Sequence, residues 1–234
     1  MLRVSHSPLL CDIARNAQLT PDKVALVEGD CRVTYARLVA NIESAAAHLQ
    51  SLGLQYGDHI ILAAQKEVEF VYLYFAAHLL GIVNVVVDSA SPRDRLDYII
   101  SVVKPSCLFG NNLSIDRLRC ETFNQSIVCK QDEGLHEFQH LNENDVADVM
   151  FTTGTTGAPK GVCLSHANIA GSASNTNAFI GTSSSDVEAL ALPLSHSFGL
   201  GRMRCVLSAG ATLVLVVTPA QIEAKVAACL AACR

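Results

Sequence analysis

Between residues 59 and 109 the chain alternates short, largely apolar runs with segments of helical period, and this alternation constrains its fold most. His59-Ile60-Ile61-Leu62-Ala63, residues 82–87 and residues 106–109 read as strands buried on both faces. Between them, Phe70, Leu73, Tyr74, Ala77 and Leu80 share one helical face that ends at Gly81. Leu96, Ile99, Ile100 and Val103 form a second stripe behind a Ser91-Pro92 helix start, with Pro at the first helical position. Strands without polar alternation need cover on both sides, so the pattern predicts an α/β fold: parallel-rich sheets flanked by helices.

The flanking segments extend the pattern. Residues 24–27 and 31–34 enclose Glu28-Gly29-Asp30 as a hairpin, and Thr34 caps a helix that runs to Gly53. Residues 148–151 and 161–164 read as buried strands on either side of a polar loop. Ser165 caps a helix towards Phe179 that is rich in Ser and Asn and therefore weak on propensity. A strand at 187–192, a loop at 193–198, a helix at 199–207 and a strand at 212–217 follow, and Thr218-Pro219-Ala220-Gln221 opens a terminal helix. Ser126-Ile127-Val128 suits a further strand, while residues 130–145 are polar and acidic. That stretch suggests a boundary, giving an α/β subdomain over residues 1–145 and a loop-bearing α/β segment over 146–234.

Composition narrows the function classes. The 234 residues carry a formal net charge of -5, only 17% of them are charged, and no Lys/Arg cluster occurs, which argues against a nucleic-acid partner. Half of the residues are hydrophobic and the mean hydropathy is +0.31. The best candidate for a membrane span, residues 70–87, contains Tyr72, Tyr74, His78, Gly81 and Asn84 and reads as a helix followed by a strand, so no membrane span is expected. The first residues lack the pattern of a signal peptide, and a cytoplasmic protein is the default expectation. Nine Cys occur without a Cys-x-x-Cys, and Cys107, Cys163 and Cys205 lie in apolar runs. They read as reduced core thiols, and no metal site is assigned, Cys229 and Cys233 included.

The chemistry concentrates in Phe151-Thr152-Thr153-Gly154-Thr155-Thr156-Gly157-Ala158-Pro159-Lys160-Gly161. Glycines let successive backbone N–H groups converge into an anion nest, threonine hydroxyls add donors, and Lys160 places a positive charge where the loop rejoins the sheet. Pro159 stiffens that return. The spacing fits neither the G-x-x-x-x-G-K-[ST] phosphate loop nor the G-x-G-x-x-G dinucleotide turn, so a dinucleotide-binding oxidoreductase is disfavoured. A Gly/Thr-rich hairpin with an exposed Lys satisfies the composition as well.

The run from Thr152 to Gly161 resembles the signature phosphate loop of the adenylate-forming superfamily, which includes acyl- and aryl-CoA ligases. Val33-Thr34-Tyr35-Ala36-Arg37-Leu38 is similar to the family's early Leu-Thr-Tyr-x-Glu-Leu element. Leu194-Ser195-His196-Ser197-Phe198-Gly199 falls where acyl-CoA ligases carry Pro-Leu-x-His-x-x-Gly. The resemblance implies ATP-dependent activation of a carboxylic acid as an acyl-adenylate, with Mg2+ accompanying ATP and CoA as the thiol acceptor. It implies Thr152, Thr153, Gly154, Thr155, Thr156, Gly157 and Lys160 as phosphate ligands, with Lys160 and His196 in catalysis.

Other residues have simpler explanations. His166, Ser165 and Asn168 fit helix capping as well as the family pattern, and His48 and His78 suit structural roles. Arg202 and Arg204 suit helix-face charges better than substrate contacts. The family's Tyr-Gly-x-Thr-Glu element, its ribose-binding Asp and its small C-terminal domain have no counterpart before Arg234. The resemblance therefore implies a truncated N-terminal part of such an enzyme, with a second chain or self-association covering exposed core. A non-catalytic module that keeps the fold is the alternative.

Overall fold

The fold is described from a computed structural model that covers residues 7–111, 113–116, 118–123, 127, 141–152 and 159–216. Ten strands and six helices occur among these residues: α1 (Pro8–Leu19), β1 (Val24–Glu28), β2 (Cys31–Thr34), α2 (Tyr35–Ser51), β3 (His59–Ala64), α3 (Val68–Leu80), β4 (Val83–Asp88), α4 (Arg93–Val103), β5 (Cys107–Phe109), β6 (Cys120–Glu121), β7 (Val146–Phe151), β8 (Gly161–Ser165), α5 (His166–Ile180), β9 (Val187–Leu190), α6 (Ser197–Ser208) and β10 (Thr212–Leu215). No described helix is long and apolar enough to cross a membrane.

The strands form two sheets. One has four strands in the order β2-β1-β10-β9, and the other six in the order β6-β5-β3-β4-β7-β8. All pairings are parallel except β1 with β2 and β7 with β8. The expected α/β class is therefore observed. Both sheets cross the expected boundary at residue 145, because β1 pairs with β10 and β4 with β7, so the segments 1–145 and 146–234 share sheets.

The main core lies between the sheets. Ile60, Leu62 and Val86 of the six-stranded sheet, Leu26, Leu213 and Leu215 of the four-stranded sheet, and side chains of α2, α3 and α6 all belong to it. Helix α3 is covered from several directions, which is why nearly every residue of Val68–Leu80 is buried and apolar. Alternate residues of the same strands, Ile61, Ala63, Val83, Val85 and Val87, face the opposite side and pack on Leu96 and Ile99 of α4. The period-2 geometry of a strand thus explains why these runs are largely apolar, buried Asn84 of β4 donating its amide to the Tyr74 carbonyl at 3.0 Å.

Several local expectations need correction. Residues 161–164 do form a strand, but Gly161, Val162 and Cys163 are exposed because β8 is the antiparallel edge of its sheet. Cys163 is accordingly a surface thiol, whereas Cys107 and Cys205 are buried and free as expected. Helix α1 was not expected from the sequence. Its Pro8 occupies the first turn and Leu9, Leu10 and Ile13 bury one side. Helix α5 forms despite weak propensity because a full capping box closes its start: Ser165 Oγ accepts from the Asn168 amide and Asn168 Oδ1 accepts from the Ser165 amide, both at 3.1 Å. Residues 126 and 128 of the suggested strand and the terminal helix after Thr218 lie outside the described residues, and Ile127 is buried.

A buried polar network joins the layers. Asp148 on β7 is fully buried, and its Oδ1 lies 2.9 Å from His78 Nε2 of α3. Its Oδ2 accepts from Tyr74 Oη of α3 at 2.7 Å and from the Arg204 guanidinium of α6. Arg204 Nε also donates to Tyr74 Oη at 2.8 Å. Arg204 is therefore an interior ion-pair partner and not an exposed helix-face charge. Burial alone would raise the Asp148 carboxyl, yet the charges of Arg204 and His78 and the bonds from His78 and Tyr74 outweigh it and hold the group at about 2. His166, at the start of α5, packs edge-to-face on His78 with ring centroids 5.0 Å apart, and its Nδ1 lies 3.2 Å from Ser7 Oγ.

Two predictions follow from this network. Asp148→Ala leaves the Arg204 guanidinium buried without its counter-charge and is expected to cost about 3–5 kcal/mol, read as a lower urea midpoint. Burial, helped by the neighbouring His78 and opposed by Asp148 and Asp145, lowers His166 from 6.5 to about 3. The unfolded chain protonates this imidazole near 6.5 while the folded chain resists until about 3. Its contribution is therefore complete above pH 6.5 and declines as the pH falls towards 3, with a slope of at most about 1.4 kcal/mol per pH unit. Urea titrations between pH 7.5 and 4 are expected to show this decline in the wild type and a flatter one in His166→Asn, and equal slopes would contradict it.

Candidate active site

The connections leaving β3 and β4 go to opposite faces of their sheet: α3 packs on the inter-sheet side and α4 on the other. Adjacent parallel strands with this divergence open a crevice beyond their carboxyl ends, the usual place for a ligand in an open α/β sheet. Two cavities lie there. One, of about 270 Å³, is lined by Val86, Asp88, Arg95, Phe151, Ser195 and His196 among others. The second, of about 540 Å³, is lined by Glu28, Lys66, Glu67, Asp88, Leu194 and Ser195 among others. Asp88 and Ser195 contribute to both.

The walls are tied together by polar contacts at the strand ends. Lys66, just after β3, donates to the carbonyl of Ala191 and, at 2.8 Å, to that of Val216, beyond β9 and β10 respectively. Burial lowers its ammonium below the usual lysine range. Glu28 at the end of β1 accepts from the Val68 amide at 2.9 Å and so caps α3. These bonds fasten the carboxyl ends of the two sheets to one another.

His196 is the N-cap residue of α6 and is exposed at the rim of the first cavity. Its amide donates to the Pro193 carbonyl at 3.3 Å, and its carbonyl accepts from Leu200 at 3.0 Å, so the turn before the helix is tight. Gly199 explains part of that tightness. A Cβ there would lie 2.2 Å from the Pro193 carbonyl oxygen, closer than any side chain tolerates. The glycine in Leu194-Ser195-His196-Ser197-Phe198-Gly199 is thus what lets the His196 turn fold back on the helix.

The Thr/Gly loop leaves the carboxyl end of β7 and returns as β8. Thr152 and Lys160 close its stem: the Thr152 amide donates to the Lys160 carbonyl at 3.0 Å, and Thr152 Oγ1 accepts from the Lys160 amide at 3.3 Å. Thr153, Gly154, Thr155, Thr156 and Gly157 lie outside the described residues. Lys160 is exposed, and among the described residues it has no carboxylate partner. A donor set with an uncompensated ammonium at its closure fits an anionic ligand. Phe151, the last residue of β7, shares the first cavity with His196, whereas Lys160 does not line it.

Asp88, Ser91, Arg95 and Ser195 also line this cavity and were not singled out from the sequence. The signal for the first three was their position, directly after the buried run 82–87, where a parallel strand releases its loop. Arg202 pairs with Glu188 of β9, its Nε donating at 2.9 Å, so both it and Arg204 are ion-paired within the fold. Ser165 and Asn168 act as caps, as described above.

The AMP-binding enzyme family matches residues 13–234. The chain belongs to that family. Among this AMP-binding protein's relatives, the 2-succinylbenzoate–CoA ligase of Bacillus licheniformis is 29% identical over 87% of the chain and 44% of its own length. The ligase of that name from Bacillus subtilis is 30% identical over 87% of the chain and 43% of its own length. The solved O-succinylbenzoate Coenzyme A synthetase of Bacillus subtilis, in complex with AMP, superposes with a TM-score of 0.83 at 25% identity, covering 92% of this chain and 58% of that one. The chain thus spans less than half the length of these two ligases.

The close approach at Gly199 gives a direct test of how the AMP-binding fold sets its histidine. Gly199→Ala is expected to push the 193–196 turn away from α6 at a cost of about 1–3 kcal/mol, lowering the urea midpoint. Gly201→Ala, where an added Cβ meets nothing within 4 Å, is expected to change it by less than about 1 kcal/mol in either direction. Equal effects at the two positions would show that the Pro193 contact does not govern the turn.

Proposed function

We propose that the chain carries the acid-activating site of an AMP-forming acid–thiol ligase. The observation that supports this most is the Thr152–Lys160 stem at the carboxyl end of β7, whose strand end shares a cavity with His196. In this reading a carboxylate attacks the α-phosphorus of ATP, the bond to the bridging oxygen breaks, and pyrophosphate leaves as the acyl-adenylate forms. The loop from Thr152 to Gly157 and the Lys160 ammonium offset charge on the departing phosphates, which is electrostatic work at a prepositioned site. His196 orients the carboxylate. Mg2+ arrives on the phosphates of ATP, as it commonly does with nucleotides. CoA accepts the acyl group in a second step.

The acid is inferred to lack an α-amino group. The resemblance places an acidic residue in the region of His196 where relatives activate amino acids, and none occurs between Ala189 and Val217. Aromatic acids of the succinylbenzoate type and fatty acids form the first panel. The free thiols support a reducing, cytoplasmic setting. Exposed Phe179, Ile180 and Phe198 support a covering partner chain or self-association.

Carboxylate-dependent exchange of labelled pyrophosphate into ATP tests this reading. Exchange is expected with an acid of the panel, reduced about 100-fold by Lys160→Ala. A panel in which only amino acids support exchange would overturn the choice of acid. Absence of exchange with every acid would favour a non-catalytic module.

A further inference from the structure

We propose that Asp88 and Arg95, on either side of the turn between β4 and α4, are positioning residues that hold the two halves of the candidate site in register. The proposal rests on the acid-activation reading only for its consequence for ATP; the anchoring itself stands on the contacts.

Asp88 ends β4. Its Oδ1 accepts from the Ala90 amide at 2.8 Å, which fixes the turn, and its Oδ2 accepts from Ser195 Oγ at 3.3 Å. The carboxylate therefore links the turn to the residue that precedes His196. Arg95 lies in the first turn of α4 and is half-buried. Its Nη2 donates to the carbonyls of Phe151 at 3.5 Å and Thr152 at 3.3 Å, the last two residues before the loop. Thr152 is also where the stem closes onto Lys160. A single short segment thus holds the histidine turn with its acid and the phosphate-loop stem with its base.

The arrangement is specific to Arg95. Arg93, two residues earlier, points elsewhere, with Nε donating to Asp97 at 2.8 Å on the surface of the same helix. The two Arg95 contacts are long for hydrogen bonds, so each is weak, and both come from one nitrogen, Nη2, which reaches the two carbonyls together. A lysine at this position would keep the charge and lose the planar guanidinium that aims this nitrogen.

The test compares amide hydrogen exchange in the ligand-free chain for wild type, Arg95→Ala, Arg95→Lys, Arg93→Ala and Asp88→Ala, with urea midpoints as a check on global stability. Arg95→Ala is expected to speed exchange of the Thr152 amide at least about fivefold, with partial rescue by Arg95→Lys and no change in Arg93→Ala. Asp88→Ala is expected to do the same for the His196 and Leu200 amides and to leave Thr152 unchanged. Equal exchange at Thr152 in wild type and Arg95→Ala, or an equal rise in Arg93→Ala, would overturn the anchoring. Should Arg95→Ala fail to fold, Arg95→Lys alone decides, because its ammonium, no longer aimed by the guanidinium plane, must still raise exchange at Thr152. ATP titration then reads the consequence: Arg95→Ala is expected to weaken binding about tenfold, and unaltered binding would overturn that half. A wild-type chain that binds no ATP would remove the acid-activation reading while the exchange data still decide the anchoring.

Discussion

The placement of the site depends on one buried carboxylate. Asp148 sits in the middle of β7 with no exposure to water, a position that would be prohibitive for an unpaired charge. It is tolerated because every direction around it is answered: His78 and Tyr74 from α3, and Arg204 from α6. Those helices also supply the core between the sheets, so the network fixes how the six-stranded sheet meets the layer that carries the four-stranded one. Asp148 precedes the Thr/Gly loop by only a few residues. The loop therefore starts from a strand whose depth and twist are pinned from both helices.

A second set of contacts acts at the rim. Lys66 reaches the ends of β9 and β10, Glu28 caps α3, and Asp88 receives Ser195. Each joins the carboxyl end of a strand in one sheet to a segment that leaves the other. The core network resists rotation of the layers, while the rim contacts fix the distance between the strand ends where a ligand would sit. Burial of charge is costly in the core, and directional bonds are needed in both places because apolar packing alone does not specify direction. Here the directional bonds determine which residues face the crevice.

Local features of the fold were legible in the sequence because their causes are local. Apolar runs of residues 59–63 and 82–87, the Thr34 and Ser165 caps and the Gly81 stop each act within a few residues, and the structure places elements at all of them. What was not legible is long-range. Tyr35 donates to Ala211 across 176 residues and Arg204 reaches Asp148 across 56, and no period or propensity marks those partners. Arg204 looked like a helix-face charge because its neighbours in sequence are apolar, and that same apolar setting shows burial once a carboxylate is known to face it. Cys163 misled in the opposite way: an apolar run on an edge strand faces solvent, and edges are set by pairing order, not by composition.

The candidate site shows the same division. The Thr/Gly/Lys loop and His196 stood out because their residue types carry chemistry, whereas Asp88 and Arg95 stood out only once β4 and β7 were known to lie side by side. For phosphate chemistry this division has a physical reason. Groups that meet a phosphate must be cationic or donor-rich, so they are recognisable wherever they occur. Groups that hold such a site need only be the right distance from a backbone carbonyl or a serine hydroxyl, and almost any polar side chain can meet that requirement. A site whose work is positioning and electrostatics gains nothing from mobile ligands, since a displacement of about 1 Å is enough to lose much of the effect. The turn between β4 and α4 supplies rigidity where it is needed, because it is anchored in the sheet at Asp88 and in the second core through Leu96 and Ile99. Its two charged side chains then transmit that rigidity to the loop stem and the histidine turn.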